Sequence, residues 1–366
     1  MDVKAYSDMI HNIVVPATLS QEEMFRCYQP LIDFLQTETP EKLYRFRQCN
    51  ENSIAAFDQD QLWVSPGYKM NDDFDALLHF DKESIKSELK AFLGHDQFIP
   101  TFQAIGKGAE VPVHIQNILP PEMIEAVRST IAQLDEATIN KSISQLYDFF
   151  VNQIDANDVA VQQIIQKAIK FACFSEAIES AAMWGYYADS GRGFALSYDF
   201  RNGGYTMCNL CPTGNQCPSY KSCSLAPVIY SDTCFDATKY AAWLFQQEAI
   251  LRILADRNAL SVYSLLQNIV PCPDLFMPVK ILLHKAKAWE HEREWRLICQ
   301  CNSSEFIQQE FSYAKKEPTA VYLGRKISPF YEKVLRHIAI EKNIPVYKMQ
   351  IQRNDTSYKL HPEKLS

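Results

Sequence analysis

The sequence lacks a long hydrophobic run, a basic leader and an excess of positive charge. No segment reaches the roughly 18 consecutive apolar residues that a membrane-spanning helix needs, so we expect no membrane partner. The first residues, MDVKAYSDMIHNIV, have no basic stretch followed by an apolar core, so we expect no signal peptide and a cytoplasmic location. The formal net charge is −8, which argues against the bulk basic footprint of a duplex nucleic-acid binder.

Cysteine, in contrast, is plentiful. Eleven cysteines in a chain with no export signal argue against a secreted disulfide scaffold and leave metal binding as the informative use of any that cluster. Four of them, Cys208, Cys211, Cys217 and Cys223, fall in a loop at about 201–224 that is rich in turn residues. Four thiolates suit a structural zinc ion, an iron–sulfur cluster uses the same ligand set, and four unligated thiols are the third interpretation.

The hydrophobic patterns predict an α+β fold. Hydrophobic residues make up 47% of the chain and charged residues 22%, as in packed globular proteins. We predict a helical N-terminal extension at 1–40, then a single α+β domain at 41–366 with a helical insertion at about 81–170. Strands are predicted at 43–47, 61–65, 172–175, 193–199, 228–230, 292–301, 320–323 and 346–351, and further helices at 50–58, 236–268, 278–290 and 329–341. Such an order indicates a twisted, mostly antiparallel core sheet.

Four blocks of the sequence resemble one known family. They are LYRFR at 43–47, LWVSP to NDDFD at 62–75, CFSE at 173–176 with MWGYYA at 183–188 and GRGF at 191–194, and Lys285 with Trp289 and EREWR at 292–296. Together they resemble a bacterial family known as domain of unknown function 2971. That family more often has proline where this chain has Asp73, and its name specifies no chemistry, so the function has to be inferred from the residues.

The polar residues of two predicted strands are the first candidates for a site. Side chains alternate along a strand, so Arg45 and Arg47 share one face of the first strand. By the same rule, Glu292, Glu294 and Arg296 share a face of a strand at 292–301. Two carboxylates two residues apart can perform two different tasks at one sugar.

The order of these residues resembles that of ADP-ribosyltransferases, which cleave NAD. The resemblance implies that Glu294 stabilises the oxocarbenium-like transition state and that Glu292 accepts the proton of an acceptor that is left open. It further implies that Arg45 binds the pyrophosphate of NAD and that Ser65 or Ser175 orients the ribose. The aromatic ring of Tyr186 or Tyr187 would stack on nicotinamide.

Other functions and simpler structural roles stay open at this point. The same Arg and Glu clusters can hold a nucleotide or a partner without chemistry, as in a sensor module of stress or phage defence. A metal-dependent hydrolase or nuclease is a third function, built on Asp72, Asp73, Asp75 and Glu292. As structural roles, Glu292 and Glu294 can form a solvated strand face paired with Arg296 and Lys287, and Arg45 can form an ion pair with Asp75 or Asp199.

Overall fold

The computed structural model describes residues 2–93, 98–111, 121–201, 222–256, 263, 270–300 and 312–365. Its helices are α1 Val3–Asn12, α2 Gln21–Glu38, α3 Glu51–Asp58, α4 Lys82–Leu93, α5 Phe98–Gly106, α6 Pro121–Ala132, α7 Glu136–Gln162, α8 Ile164–Ala168, α9 Ala181–Tyr187, α10 Thr238–Asp256, α11 Met277–Leu282 and α12 Pro329–Glu341. Its strands are β1 Leu43–Arg47, β2 Gln61–Pro66, β3 Lys170–Ser175, β4 Phe194–Tyr198, β5 Ser222–Pro227, β6 Ile229–Ser231, β7 His284–Ala286, β8 Glu294–Gln300, β9 Ser312–Lys315, β10 Ala320–Leu323, β11 Val346–Gln350 and β12 His361–Lys364.

Ten of these strands form one sheet in the part of the chain that the structure describes. Eight follow the order β12-β11-β10-β4-β1-β3-β2-β9, while β8 pairs with β3 and β5. Neighbours are antiparallel except β10 and β11, and β6 and β7 form a separate parallel pair. Helices surround this mostly antiparallel sheet, which confirms the α+β class.

Local signals in the sequence explain where the helices next to β1 begin. Ser20 caps α2 by accepting from the backbone N–H of Glu23, whose side chain accepts in return from the N–H of Ser20. Asn50 caps α3 by accepting from the N–H of Ser53. Ser20 thus defines where α2 begins, and Asn50 defines the connection from β1 to α3.

The two faces of the sheet bury different side chains. Trp295 and Leu297 of β8 pack with Phe174 and Ala172 of β3 in one hydrophobic cluster. The residues between them, Glu294 and Arg296, therefore lie on the opposite face, because successive side chains of a strand alternate. Both faces are buried, so this part of β8 is covered on both sides.

The N-terminal helices belong to the same core as the sheet. Tyr6 and Ile10 of α1 are fully buried and share a cluster with Phe171 of β3 and Ile298 of β8. The hydroxyl of Tyr6 donates to the carbonyl of Pro227, 2.9 Å away. The segment predicted as a helical extension is thus tied to the sheet by packing and by a buried hydrogen bond.

One predicted helix is wrong in its second half. The sequence predicts a helix at 278–290, but α11 ends at Leu282 and residues 284–286 form β7, followed by a 3-10 turn at Lys287–Glu292. The backbone of β7 pairs in parallel with β6, with Ile229 opposite His284 and Tyr230 opposite Lys285. This pairing with a distant strand overrides the local helical pattern and turns Lys285 inward.

Candidate functional site

A gap between β1 and β2 opens the sheet beside β3. One edge of β3 is shared by the two strands: Ser175 pairs with Tyr44 of β1, whereas Phe171 pairs with Ser65 of β2. Between these registers the sheet holds a cavity of about 240 Å³. Its lining includes Tyr44, Arg45, Phe46, Arg47, Ser65, Met70, Asn71, Asp75, Phe171, Ala172, Cys173, Phe174, Ser175, Met183, Tyr187, Lys285, Glu292 and Glu294.

The basic side of the cavity consists of Arg45 and Arg47. The Arg45 guanidinium lies 5.7 Å from the ring centroid of Phe174, and its Nη2 donates to the carbonyl of Trp63 at 2.5 Å. Its Nη1 is buried and has no hydrogen-bond partner among the described residues. Burial and the neighbouring charge of Arg47 lower the pKa of Arg45 to about 9. An anion bound here would reduce the repulsion between Arg45 and Arg47. It would also accept a hydrogen bond from Nη1 of Arg45.

The acidic side is a buried cluster of three carboxylates and two cations. The Nζ atom of Lys285 lies 2.7 Å from Glu292 Oε2, 2.9 Å from Glu294 Oε2 and 3.7 Å from Asp75 Oδ2. Arg296 donates through Nε to Glu294 Oε1 at 2.8 Å and through Nη2 to Asp75 Oδ1 at 2.5 Å. All five side chains are at most 4% exposed, so the alternative of a solvated strand face is wrong. If all are ionised, the cluster keeps one net negative charge.

Ionisation of this cluster is set by its own charges. Burial alone would raise the pKa of Glu294, but Arg296 and Lys285 outweigh burial and lower it. For Lys285 burial acts to lower the pKa, whereas Glu294 and Asp75 raise it, and the balance is a raised value. Both groups therefore stay charged around neutral pH, as expected of buried charges that are paired and hydrogen-bonded.

The two glutamates reach this cluster by different local structures. Glu294 lies on a strand, as predicted: it starts β8, where it pairs with Ser175. Glu292 was predicted on the same strand, which is wrong: it ends the 3-10 turn, and Arg293 after it is left-handed, with φ of 44°. The carboxylates converge because Lys285 binds both of them, so strand alternation does not explain their proximity.

Tyr187 and Ser175 hold Glu292 from two sides. The Tyr187 hydroxyl donates to Glu292 Oε1 in a short hydrogen bond and accepts from Asn71 Nδ2 at 2.8 Å. Burial and the Glu292 charge raise the pKa of Tyr187, so this phenol keeps its proton. Ser175 Oγ donates to the Glu292 carbonyl at 2.5 Å and accepts from the N–H of Ala177. Ser175 therefore positions the Glu292 backbone.

The structure brings six of the seven predicted catalytic and ligand-binding residues to one cavity. Those six are Arg45, Ser65, Ser175, Tyr187, Glu292 and Glu294. Tyr186 is the exception: it is 67% exposed and does not line the cavity, with its ring 6.2 Å from that of His291. The sequence prediction of an ion pair between Arg45 and Asp75 or Asp199 is wrong, because Asp75 pairs with Arg296 and Lys285 and Asp199 pairs with Arg201.

Two functional-site residues were not assigned a role from the sequence. Lys285 was noted only as part of a family block, and its predicted helix gave no reason to aim it at the glutamates. For Arg47, strand alternation correctly predicted that it shares the face of Arg45, although no role was assigned to it. For Lys285, the presence of two nearby acidic residues in EREWR was the only usable signal.

The acidic loop does not assemble a metal site with Glu292. Asp72 Oδ1 accepts from the backbone N–H of Phe74, and Asp75 is held by Arg296 and Lys285. The Lys285 ammonium lies between Asp75 and Glu292, where a metal-dependent hydrolase would need its cation. Within the described ranges, no group of three or more His, Cys, Asp or Glu side chains is placed to hold a metal ion.

The predicted thiol site falls mostly outside the described residues. Cys208, Cys211 and Cys217 lie in the segment 202–221, which is not described. Cys223 was predicted in the same loop, but its backbone belongs to β5 and pairs with Cys299 of β8. The prediction of a zinc or iron–sulfur site therefore stays a prediction.

Comparison with known proteins identifies a family over part of the chain. Residues 183–297 match the family described as protein of unknown function DUF2971, which confirms the resemblance drawn from the sequence. The matched segment contains Tyr187, Lys285, Glu292 and Glu294, the whole α9-to-β8 side of the cavity. No curated protein and no solved structure matches the chain. None of the described helices is long and apolar enough to cross a membrane.

Proposed function

We propose that this protein is an ADP-ribosyltransferase-like enzyme that uses NAD as its substrate. One observation carries the proposal: a guanidinium pair and a buried carboxylate cluster from distant parts of the chain line the same cavity. NAD carries a pyrophosphate that the guanidinium pair can bind, and a pair of ribose hydroxyls that the carboxylate cluster can bind. The acceptor of the ADP-ribose is left open.

The phosphate end of the ligand is assigned to Arg45 and Arg47. Arg45 has one buried nitrogen with a hydrogen to donate and no described partner, and the charge of Arg47 adds to its own. A guanidinium offers paired N–H donors that match phosphate oxygens. The alternation of β1 and the position of Arg45 over Phe174 put it on the sheet face opposite Glu294. A ligand that touches both must therefore occupy the gap between β1 and β2.

The reacting end of the ligand is assigned to the carboxylate cluster. Breaking the bond between nicotinamide and ribose develops positive charge on the sugar, as in glycoside hydrolysis. The cluster carries one net negative charge in a buried environment. Its fixed electric field stabilises the positive charge that develops on the sugar. Glu294 accepts from two cations, Lys285 and Arg296, so we assign it this electrostatic role. Glu292 accepts from one cation, Lys285, and from the neutral hydroxyl of Tyr187, so we assign it the exchange of a proton with the acceptor.

The volume of the cavity limits how much of NAD it encloses. Pockets that enclose whole drug-sized ligands measure roughly 300–1,000 Å³. A cavity of about 240 Å³ is smaller, so we expect it to hold the nicotinamide–ribose end and to leave the adenosine outside. Exposed rings next to it, Tyr186 and His291, lie within 6.2 Å of each other and offer a surface for stacking.

Nicotinamide release from NAD tests the proposal. Wild-type protein should release nicotinamide, and Glu292→Gln should lower the rate by about a hundredfold, because a positioned general base contributes roughly 10²–10⁴. Arg45→Lys should weaken NAD binding, since a single ammonium loses the paired donors. Glu290→Gln and Arg325→Lys are matched controls on exposed side chains and should leave both quantities unchanged.

Two results would separate this enzyme from the alternatives. Binding of NAD with no nicotinamide release by wild-type protein would favour the non-catalytic sensor module. No binding of NAD, with folding of all variants verified by thermal unfolding, would overturn both nucleotide proposals.

A further inference from the structure

A pair of histidines faces each other outside the cavity, between the N-terminal helix and the strand that carries Lys285. Nε2 of His11 on α1 lies 3.1 Å from Nε2 of His284 on β7. The two residues are 273 positions apart in the chain. We propose that His11 and His284 form a binding site for a divalent transition metal ion of the zinc type.

The distance between the two nitrogens fits shared coordination. Zinc binds imidazole nitrogen at about 2.0–2.1 Å in tetrahedral geometry, which places two such nitrogens about 3.3 Å apart. The observed distance between the two Nε2 atoms is 3.1 Å, and a small rotation of either ring would lengthen it to the value for shared coordination. Imidazole is a favourable ligand for Zn²⁺, Cu²⁺ and Ni²⁺ and a poor one for Mg²⁺, which prefers oxygen.

The other nitrogen of each ring already has the partner that a metal-binding histidine needs. Nδ1 of His284 lies 2.6 Å from the carbonyl oxygen of Lys280, and since a carbonyl only accepts, Nδ1 carries the proton. Nε2 of His284 is therefore unprotonated and accepts a hydrogen bond from Nε2–H of His11, the proton that a metal ion would replace. Nδ1 of His11 lies 3.3 Å from Ser7 Oγ, which can accept from it. Both rings can thus present Nε2 to a metal while Nδ1–H donates to an oxygen, the usual outer-shell arrangement.

Neighbouring groups hold the two rings in place. Phe235 stacks on both, with ring centroids 5.4 Å from His11 and 4.5 Å from His284. The nearest ammonium, Lys280, donates to Asp274 at 2.9 Å, and this ion pair compensates its charge.

The site supplies two protein ligands and leaves the other positions to water or to an outside group. No third His, Cys, Asp or Glu joins the pair in the part of the chain that the structure describes. A metal bound here would link α1 to β7, and β7 continues directly into Lys285 of the cavity. Metal binding should therefore stabilise the fold independently of any activity in the cavity.

Zinc binding to full-length protein tests the site. With ZnCl₂ as the probe, equilibrium dialysis should show one fewer bound zinc per chain in His11→Gln than in wild type, and MgCl₂ should not compete. His337→Gln, an exposed histidine on α12, is the matched control and should bind as wild type does. Because the cysteine-rich segment can also bind zinc, the difference between variants is the quantity to compare.

A second measurement keeps the test decisive if a variant folds poorly. In wild-type protein, long-range ¹H–¹⁵N spectra of the histidine rings should show Nε2 of two of the eight histidines shifting together on zinc addition, with Nδ1 protonated in both. Zinc should also raise the midpoint of thermal unfolding of wild type by more than that of His11→Gln. Equal zinc stoichiometry in both proteins, or no histidine shift, would overturn the proposal.

Discussion

The hydroxyl of Tyr187 donates a hydrogen bond to Glu292 across 105 positions of the chain, and both residues line the cavity. Tyr187→Phe removes the donor and leaves a buried carboxylate oxygen without it. We expect a loss of about 1–3 kcal/mol in the free energy of unfolding and a lower rate of nicotinamide release. Chemical unfolding and the NAD assay measure the two effects, and Tyr186→Phe, on the exposed neighbour, should change neither. Equal effects of both substitutions would argue against the role given to Tyr187.

Removal of the Lys285 ammonium should destabilise the protein strongly. In Lys285→Met the carboxylates of Asp75, Glu292 and Glu294 lose the cation that they share, and breaking a buried pair in this way costs about 3–5 kcal/mol. Urea unfolding measures the loss. Lys287→Met is the control, because its ammonium is exposed and lies 3.8 Å from an exposed Asp232. A loss below 1 kcal/mol in Lys285→Met would mean that the cluster does not depend on this charge.

The charge of Glu294 should make stability depend on acid pH. Its pKa is lowered from 4.5 to about 2 in the folded protein by Arg296 and Lys285, against the effect of burial. A carboxyl with a depressed folded pKa stabilises above its unfolded pKa, and this contribution is lost as pH falls from about 4.5 towards about 2. The difference in unfolding free energy between wild type and Glu294→Gln should therefore shrink over that window. A difference that does not change with pH would contradict this account.

A glycine that touches β1 should not tolerate a side chain. A Cβ added at Gly193 would lie 2.1 Å from the carbonyl oxygen of Arg47, so Gly193→Ala must displace β1. We expect the free energy of unfolding to fall by about 1–3 kcal/mol. NAD binding through Arg45 and Arg47 should weaken as well. Gly185→Ala is the matched control in α9, where nothing lies within 4 Å, and it should stabilise by about 0.5–1 kcal/mol. Thermal unfolding of both variants tests the contrast.

Metal content should report on the cysteine-rich segment. If Cys208, Cys211, Cys217 and Cys223 bind zinc, freshly purified protein should contain about one zinc per chain bound by thiolates. An iron–sulfur cluster would instead give about four irons and four sulfides. Double replacement of Cys208 and Cys211 by Ser should remove the thiolate-bound metal, whereas replacement of the core residue Cys299 by Ser should leave it. Absence of both metals would leave the thiols unligated.

The strands that carry the site were largely predictable because their patterns are local. The alternation in LYRFR predicts β1 and the shared face of Arg45 and Arg47, and the capping residue Asn50 predicts the start of α3. Lys285 shows where local signals fail, since an apolar run favoured a helix, whereas pairing with Tyr230 made a strand. The position of Glu292 failed for a related reason: a left-handed Arg293 interrupts the expected strand.

The sequence by itself determined the α+β class, the resemblance to DUF2971 and the residue types available for chemistry, because periodicity, turn chemistry and motif order are properties of neighbouring residues. Only the tertiary structure decided that Arg45 and Glu292 line one cavity, that the carboxylates are buried and paired with Lys285 and Arg296, and that His11 contacts His284. The ion pair of Asp75 with Arg296, the hydrogen bond of Tyr187 to Glu292 and the contact of His11 with His284 join segments more than a hundred residues apart. Local patterns do not specify those contacts. Nor do they specify that β1 and β2 pair with different parts of β3, the arrangement that leaves room for the cavity.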